Sequence, residues 1–229
     1  MRPSDWLPIY SLILEDMGYD RSSDEDAVRI LKAVTVNSDL VTEDEASDFF
    51  KGEATVFGDA PCLETDIGSG DVIGTTVASG SAVHRLMALG MRPDVVVTDL
   101  DGDIDSQLEA SSAGSLTFIH AHGDNQELIR GYAWRFKGPV ILTTQSVPDT
   151  IVADYGGFTD GDRAVCIAQE FGARRIRLMG FDFDNPNPKK GSDPATKLRK
   201  LQWARRIIGK VSGDTEIIPD VNGMRSEKP

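Results

Sequence analysis

The sequence predicts an α/β fold: a doubly wound, mostly parallel sheet with helices on both faces, plus a small helical lobe at the N-terminus. From residue 53 onward, short apolar runs alternate with Gly-punctuated stretches of helical periodicity, which is typical of a parallel sheet built from strand–helix units. Before residue 53, apolar side chains recur at helical spacing. We therefore expect residues 1–52 to form the lobe, 53–220 an α/β domain and 221–229 a polar tail.

The predicted lobe holds two helices and a short third segment. Apolar residues at helical spacing predict the first helix: Trp6, Ile9, Tyr10, Ile13, Leu14 and Met17. Ser22 or Ser23 is expected to cap the second helix, whose apolar positions include Ala27 and Leu31. Phe49 and Phe50 are expected in the core. No residue of the lobe is assigned a chemical role.

The α/β domain is predicted to contain seven strands separated by helices. The strands are expected at 54–57, 72–77, 95–98, 116–120, 140–144, 176–179 and 216–218, and the helices near 81–90, 104–113, 124–136, 162–171 and 194–210. The last helix is the best marked, since Asp193 can cap it and Pro194 suits its first turn.

Composition limits the partners. A formal net charge of -13 argues against nucleic acid, because binding a phosphate backbone needs a basic face. No apolar run approaches the roughly 20 residues that cross a bilayer, and the N-terminus lacks an apolar signal core. We therefore expect a cytoplasmic protein without a membrane partner. Cys62 and Cys166 form no metal-type pair and are expected to be free thiols.

The most informative run is 93–103, in which a β-branched strand ends in three alternate aspartates. On an extended chain Asp99 and Asp101 project together, and Asp103 follows once Gly102 lets the chain turn. Crowded carboxylates raise one another's pKa unless a cation neutralises them. At the carboxyl end of a strand, where ligands of open α/β sheets bind, this run predicts an Mg²⁺–phosphate site. The alternative is a solvated acidic loop, because Asp and Gly also form turns.

Polar clusters follow other predicted strands as well. Gly58, Ala60 and Pro61 lie in a small-residue turn that would let a ligand approach the backbone, although a structural turn is equally compatible. Thr144 and Gln145 follow a later strand. We expect these clusters to lie near the aspartates, because the carboxyl ends of parallel strands share one edge of the sheet.

The histidine pair His120 and His122, followed by Asp124 and Asn125, ends another strand. Two His and one Asp could bind a transition metal, but no third strong ligand is adjacent and no HExxH or CxxC companion exists. Hydrogen bonds to a phosphate or to an Mg²⁺-bound water are favoured over that alternative. A buried structural histidine is the remaining interpretation for either ring.

Countercharge for a phosphate chain is expected from two regions. Asp160, Asp162 and Arg163 open a helix, where Arg163 is the first choice for a phosphate contact and simple N-capping is the alternative for the two acids. Lysines beside the last helix supply further positive charge, although a solvated helix face explains any single one: Lys189, Lys190, Lys197 and Lys200.

Taken together, these segments resemble the archaeal 6-hydroxymethyl-7,8-dihydropterin pyrophosphokinase family. The resemblance rests on PDVVVTDLDGD, HAHGDN, PVILTTQ and GFTDGDRA, in the family's order, and spans roughly residues 53 to 210. The strand ending in Asp-x-Asp is more distantly similar to thiamine pyrophosphokinase. Two segments depart from the family pattern: Ala60 and Cys62 replace Gly and Ser in one turn, and Ser79 stands where relatives carry an acid.

The resemblance implies an enzyme that transfers diphosphate from ATP, with Mg²⁺, to the hydroxymethyl group of a reduced pterin and releases AMP, in folate or methanopterin synthesis. Asp99, Asp101 and Asp103 would hold Mg²⁺. ATP-binding residues would be Gly58, Ala60, Pro61, Thr98, Asn125, Thr144, Gln145, Asp160, Asp162, Arg163 and Lys197. The catalytic set would be Asp101, His122, Asp124 and Arg163, with His122 or Asp124 as the base.

Three other functions remain open at this stage, and the chain is also a possible homo-oligomer. The first is thiamine pyrophosphokinase. The second is a metal-dependent nucleotide-sugar glycosyltransferase, because Asp-x-Asp motifs also hold the metal of those enzymes. The third is a nucleotide sensor that binds ATP·Mg²⁺ without turnover, which the missing acid near Ser79 would suit.

Overall fold

The computed structural model describes residues 1–185 and 193–219. Within them, eight parallel strands form a single sheet in the order β6-β5-β4-β3-β2-β1-β7-β8. The strands are β1 (Glu53–Phe57), β2 (Thr75–Ser79), β3 (Val95–Thr98), β4 (Leu116–Ala121), β5 (Val140–Thr144), β6 (Val152–Ala153), β7 (Arg175–Met179) and β8 (Glu216–Ile218). The α/β prediction is confirmed.

Helices cover both faces of this sheet. They are α1 (Pro3–Met17), α2 (Arg21–Val34), α3 (Glu43–Ser47), α4 (Leu63–Ser69), α5 (Gly80–Ala88), α6 (Ile104–Ser112), α7 (Gln126–Tyr132), α8 (Asp160–Glu170) and α9 (Pro194–Val211). Short 3₁₀ turns at Gly123–Asn125 and Ala133–Arg135 flank α7. None of the described helices combines the length and the apolar character needed to cross a bilayer.

The central strand β3 shows how the core is divided. Val95 and Val97 pack with α1, α8 and α9 on one face of the sheet, while Val96 packs on the other face with α4 and α5. All three valines are fully buried. A continuous apolar run is therefore required here, because both faces of a parallel strand are covered.

The N-terminal helices pack on the sheet itself. Trp6, Tyr10 and Ile13 of α1 share the core with β3, whereas Ala27 and Leu31 of α2 belong to a cluster on the opposite face. Burying several large side chains contributes about 1.5–3 kcal/mol each. The helices predicted for residues 1–52 thus contribute to the sheet's own core, and the domain boundary at residue 52 stays a prediction.

Several element boundaries differ from the expectation. Strand β2 begins at Thr75, three residues later than predicted, because Gly74 turns the chain with φ +59 and Ile73 bonds to the Thr55 hydroxyl instead of a ladder partner. Asp20, and not a serine, caps α2 by accepting the Ser22 N–H. Helix α4 and the two-residue strand β6 were not predicted.

The strand order places a switch point beside β1. From β1 the chain runs outward through β2 to β6, then returns to pair β7 with the other side of β1. In open α/β sheets ligands bind where the connections diverge in this way, outside the carboxyl ends of the strands. This geometry directs attention to the residues that follow β1 and β7.

Candidate active site

A cavity of about 640 Å³ opens at the carboxyl ends of the strands. Residues at or just after the ends of six different strands line it, among them Gly58, Ser79, Asp99, His122, Gln145 and Gly180. The turn between α1 and α2 and one side of α9 complete its walls. The cavity therefore brings together most of the strand ends that the sequence singles out.

Asp99 is an acid of this cavity whose carboxylate and backbone are both held by hydrogen bonds. Its carboxylate accepts the Asp101 N–H at 3.0 Å and lies 3.3 Å from the Nε2 atom of His122. Its carbonyl accepts the Asn125 side-chain amide at 2.8 Å. Burial alone would raise the pKa of Asp99, but the His122 and Asp101 hydrogen bonds and the charge of Arg163 hold it near 2. Asp99 is therefore ionised at neutral pH.

An unusual turn separates the three predicted metal-binding aspartates. Leu100 has φ +70, a costly conformation for a branched side chain, and Gly102 has φ +87. The Leu100 side chain is buried and its N–H bonds to the Thr98 hydroxyl at 2.8 Å. Thr98 thus supports the turn and does not line the cavity.

Asp101 lines the cavity, but Asp103 does not. The Asp103 carboxylate caps α6 by accepting the Ser106 N–H at 2.8 Å, a bond that lowers its pKa. The structure therefore does not bring the three acids together as predicted, because the left-handed Gly102 turns Asp103 toward the helix. In the described ranges, no three His, Cys, Asp or Glu side chains converge as a metal centre.

The two histidines occupy different environments. His122 lines the cavity, whereas His120 is buried, with Nδ1 at 3.0 Å from the Thr143 hydroxyl. Burial and the nearby charge of Arg163 lower the pKa of His120 well below its ordinary value. Neutral His120 matches the structural interpretation of a buried ring, and of the two rings only that of His122 lines the cavity.

Asn125 does not line the cavity but joins two strand ends. Its buried amide donates to the carbonyls of Asp99 and His120, and its oxygen accepts the His122 N–H at 3.0 Å. This side chain therefore fixes the end of β3 against the end of β4. Asp124 lines the cavity and is exposed.

The turn after β1 fits the prediction only in part. Gly58 and Ala60 line the cavity, but their N–H groups donate to the carbonyls of Met179 and Gly180. A Cβ on Gly58 would lie 2.5 Å from the Gly180 oxygen, so contact between two strand ends requires this glycine. Pro61 is exposed and lies outside the cavity. These two N–H groups already donate to backbone carbonyls, so they are not available to bind a ligand.

Arg85, which carries no signal in the sequence, stabilises this turn through hydrogen bonds to its backbone. Its guanidinium donates to the carbonyls of Asp59 and Ala60 at 3.1 and 2.9 Å and pairs with the carboxylate of Glu64. A lone arginine on an amphipathic helix carries no signal of such a role in the sequence.

The start of α8 is organised differently from the prediction. Asp160 lines the cavity, pairs with Arg163 at 2.9 Å and accepts the Asp99 N–H at 3.4 Å. Asp162 is fully buried and caps the turn by accepting the N–H groups of Phe158 and Thr159, which confirms the capping alternative. Burial raises the pKa of Asp162, although the hydrogen bonds from Phe158 and Thr159 act to lower it.

Arg163, the first choice for a phosphate contact, does not line the cavity. The guanidinium is buried and donates to Asp160 and to the Phe158 carbonyl. These partners hold it inside the turn because a buried arginine must satisfy several N–H groups. Its charge nevertheless reaches the site, since it helps to lower the pKa of Asp99.

Thr144 and Gln145 follow β5 but only Gln145 lines the cavity. Thr144 is buried and accepts the Ser146 N–H at 3.2 Å. The Gln145 amide donates to Asp24 at 2.9 Å, and the Gln145 carbonyl accepts the Trp6 indole N–H at 2.8 Å. Gln145 therefore links the sheet to the N-terminal helices.

The N-terminal helices form one wall of the cavity, where the sequence analysis assigned no chemistry. Asp24 is buried, lines the cavity and accepts the Gly123 N–H at 2.6 Å and the Tyr10 hydroxyl at 2.5 Å. Burial and this bond to Asp24 raise the pKa of Tyr10. The sequence does not mark Asp24 as a site residue, because the helix dipole alone favours an acid in the first turn of a helix.

Helix α9 supplies positively charged side chains to the cavity. Lys197 and Lys200 line the cavity, and the Lys200 ammonium lies 5.5 Å from the ring centre of Tyr19 and 5.7 Å from that of Phe158. Both distances suit cation–π contact. Lys189 and Lys190 lie outside the described residues.

The donor set of the cavity fits a hard divalent cation. Mg²⁺ binds through one or two carboxylates and keeps water or phosphate oxygens as its other ligands. Asp99 and Asp101 supply two carboxylates, and α9 supplies cationic groups for a phosphate chain. The arrangement can therefore hold a metal–polyphosphate complex.

Comparison with known proteins agrees with this chemistry. The sequence matches the family described as 6-hydroxymethylpterin diphosphokinase MptE-like over residues 32–188. Proteins named 6-hydroxymethyl-7,8-dihydropterin pyrophosphokinase are similar: that of Pyrococcus furiosus is 37% identical, covering 91% of this chain and 93% of the relative. Those of Methanothermobacter thermautotrophicus and Methanocaldococcus jannaschii are 35% and 30% identical, covering 89% and 95% of this chain and 92% and 98% of theirs. This chain therefore belongs to the MptE-like family of 6-hydroxymethylpterin diphosphokinases.

Proposed function

We propose that this protein transfers diphosphate from ATP to the hydroxymethyl group of 6-hydroxymethyl-7,8-dihydropterin and releases AMP. One observation carries the proposal: two carboxylates, Asp99 and Asp101, line the same cavity as lysines of α9 in a chain whose relatives bear this enzyme's name. The product would serve folate or methanopterin synthesis, as in the archaeal family.

Asp99 and Asp101 would hold Mg²⁺, the cofactor that fits their oxygen donors. The bound ion would neutralise phosphate charge and orient the ATP tail. Lys197 and Lys200, which line the same cavity, would add positive charge. Arg163 would act at longer range, through its ion pair with Asp160.

The reaction would be an in-line displacement at the β-phosphorus. The acceptor oxygen forms a bond to that phosphorus while the bond to the α,β-bridging oxygen breaks, and AMP leaves with the electron pair. The hydroxyl proton passes to a base or to water. Such transfers depend mainly on positioning and electrostatic stabilisation. Asp99, held by its hydrogen bonds, and the lysines of α9 would supply both.

The aromatic wall suits the acceptor. Tyr19 and Phe158 line the cavity with their ring centres 6.4 Å apart, and the buried Asp24 lines the same cavity. Flat heteroaromatic rings pack favourably against such side chains. We propose that the pterin lies at this wall, which the turn between α1 and α2 and the segment before α8 provide.

The names of the relatives favour this function over thiamine pyrophosphokinase and nucleotide-sugar glycosyltransferase. Incubating the protein with ATP and Mg²⁺ and, in turn, the pterin or thiamine separates the two kinases by which acceptor yields AMP. A nucleotide sugar offered in place of ATP tests the transferase. A sensor would bind ATP·Mg²⁺ and form no AMP with any acceptor. A cytoplasmic location, the absence of a nucleic-acid or membrane partner and a possible homo-oligomer stay predictions.

A further inference from the structure

The ring of His122 is held at both nitrogens. Nδ1 lies 3.3 Å from the backbone nitrogen of Asp124, whose N–H points at it. A backbone N–H can only donate, so Nδ1 must present its lone pair and carry no hydrogen. Protonating Nδ1 would set two hydrogens against each other and lose this bond.

The second ring nitrogen follows from the first. A neutral imidazole carries one hydrogen, which must then be on Nε2. Nε2 lies 3.3 Å from a carboxylate oxygen of Asp99, a group that accepts when ionised. The His122 main-chain N–H also donates to the Asn125 side chain at 3.0 Å, which helps to fix the residue at the end of β4.

These contacts leave His122 without an available lone pair, while they leave Asp99 with some. One Asp99 oxygen accepts from His122 and the other from the Asp101 N–H. An ionised carboxylate has about four acceptor positions, so lone pairs remain for a cation. Ligating carboxylates are commonly oriented by such hydrogen bonds.

We propose that His122 is a positioning residue whose Nε2–H donates to the Asp99 carboxylate, orients it toward the cation and does not take the acceptor's proton. The inference rests on the proposed function for its link to catalysis. It assigns His122 the role of donor, whereas a general base would need Nε2 unprotonated and turned toward the acceptor hydroxyl.

Nitrogen NMR of the imidazole groups tests the tautomer directly. The chain has three histidines, so ¹⁵N labelling and comparison with the His122→Gln spectrum assign the ring. We expect His122 to show a protonated Nε2 and an unprotonated Nδ1 at neutral pH. The Nδ1–H tautomer, or a ring protonated at both nitrogens, would overturn the proposal.

Three variants test the role. The Gln side-chain amide reaches the place of Nε2 and can donate to Asp99, whereas Asn reaches the place of Nδ1 and Ala reaches neither. We expect His122→Gln to keep kcat/KM within about 10-fold of the wild type. His122→Ala and His122→Asn should lose on the order of 10- to 100-fold beyond that, as for other groups that orient metal ligands.

Equal impairment of the Gln and Ala variants would overturn the proposal, and so would full activity of the Ala variant. Should the Ala variant fail to fold in a thermal unfolding assay, the NMR result and the Gln–Asn pair still decide. Absence of AMP formation by the wild type would refute the proposed function instead. The tautomer measurement would then stand as a separate test of His122.

Discussion

At the scale of single residues, the aspartate run separates into different roles. Asp99 is clamped by hydrogen bonds, Asp101 lines the cavity and Asp103 caps α6. Sequence spacing predicts that alternate acids share a side only while the chain stays extended. The left-handed Leu100 and Gly102 end that regularity, and a left-handed leucine carries no signal in the sequence.

Asp101 and Asp103 therefore offer a matched pair of substitutions. We expect Asp101→Asn to lower kcat/KM by roughly 100-fold or more, because it removes a charge that stabilises the reacting phosphates. Asp103→Asn removes the same charge but keeps a good N-cap, so activity and stability should stay near those of the wild type. Steady-state assays of AMP formation and thermal unfolding measure both. Equal activity losses would contradict the separation of their roles.

Asp154 predicts a pH dependence of stability. Its carboxyl is buried, one oxygen accepts the Gly156 N–H at 2.8 Å and the other has no hydrogen-bond partner among the described residues. Burial raises its pKa to about 7 from an ordinary 3.8, against this bond and the charge of Arg163. As pH rises from 4 to 7, the unfolded chain ionises first, so the free energy of unfolding should fall, by at most roughly 4 kcal/mol.

Asp154→Asn should remove this contribution. Its stability relative to the wild type, measured by urea unfolding, should rise between pH 5 and pH 8, because the amide cannot ionise. A difference in unfolding free energy that stays constant over this range would contradict the raised pKa.

At the scale of elements, the ends of β1 and β7 pack closely against each other beside the site. The glycines after these strands pack so tightly that a Cβ on Gly58 would lie 2.5 Å from the Gly180 oxygen. The sequence shows two glycines but not that they meet, since they are far apart along the chain. Only the strand order, which returns β7 to the side of β1, explains the pair.

Gly58→Ala should separate these two strand ends. We expect a loss of about 1–3 kcal/mol in the free energy of unfolding, as for other overpacked positions, together with reduced activity. Gly68→Ala is the control, because a Cβ there has nothing within 4 Å and the backbone of α4 accepts alanine. Chemical denaturation compares the two. A Gly58 variant as stable as the Gly68 variant would refute the close junction.

At the scale of the whole molecule, the sequence predicts the sheet well because long apolar runs and helical periodicity are local signals. The ends of six strands, most of them singled out in the sequence, meet in one cavity, as expected for parallel strands. The wall built by α1 and α2 could not be predicted in this way. The contacts of Asp24 with Gly123 and Gln145 join residues about a hundred positions apart, and no local pattern reports such contacts.

The net charge of -13, a property of the whole chain, is compatible with binding a polyphosphate. An acidic protein can still bind a polyphosphate where carboxylates share a cation with it and lysines face them. Lys197 and Lys200 provide that local charge on α9. The negative net charge is therefore compatible with a nucleotide site.

The most direct test of the account is a single assay. The wild-type protein is incubated with ATP, Mg²⁺ and 6-hydroxymethyl-7,8-dihydropterin, and the products are identified by liquid chromatography and mass spectrometry. We predict AMP and the pterin diphosphate in equal amounts, formed only when both substrates are present. Formation of ADP with a pterin monophosphate, or AMP formation that does not depend on the pterin, would contradict diphosphate transfer.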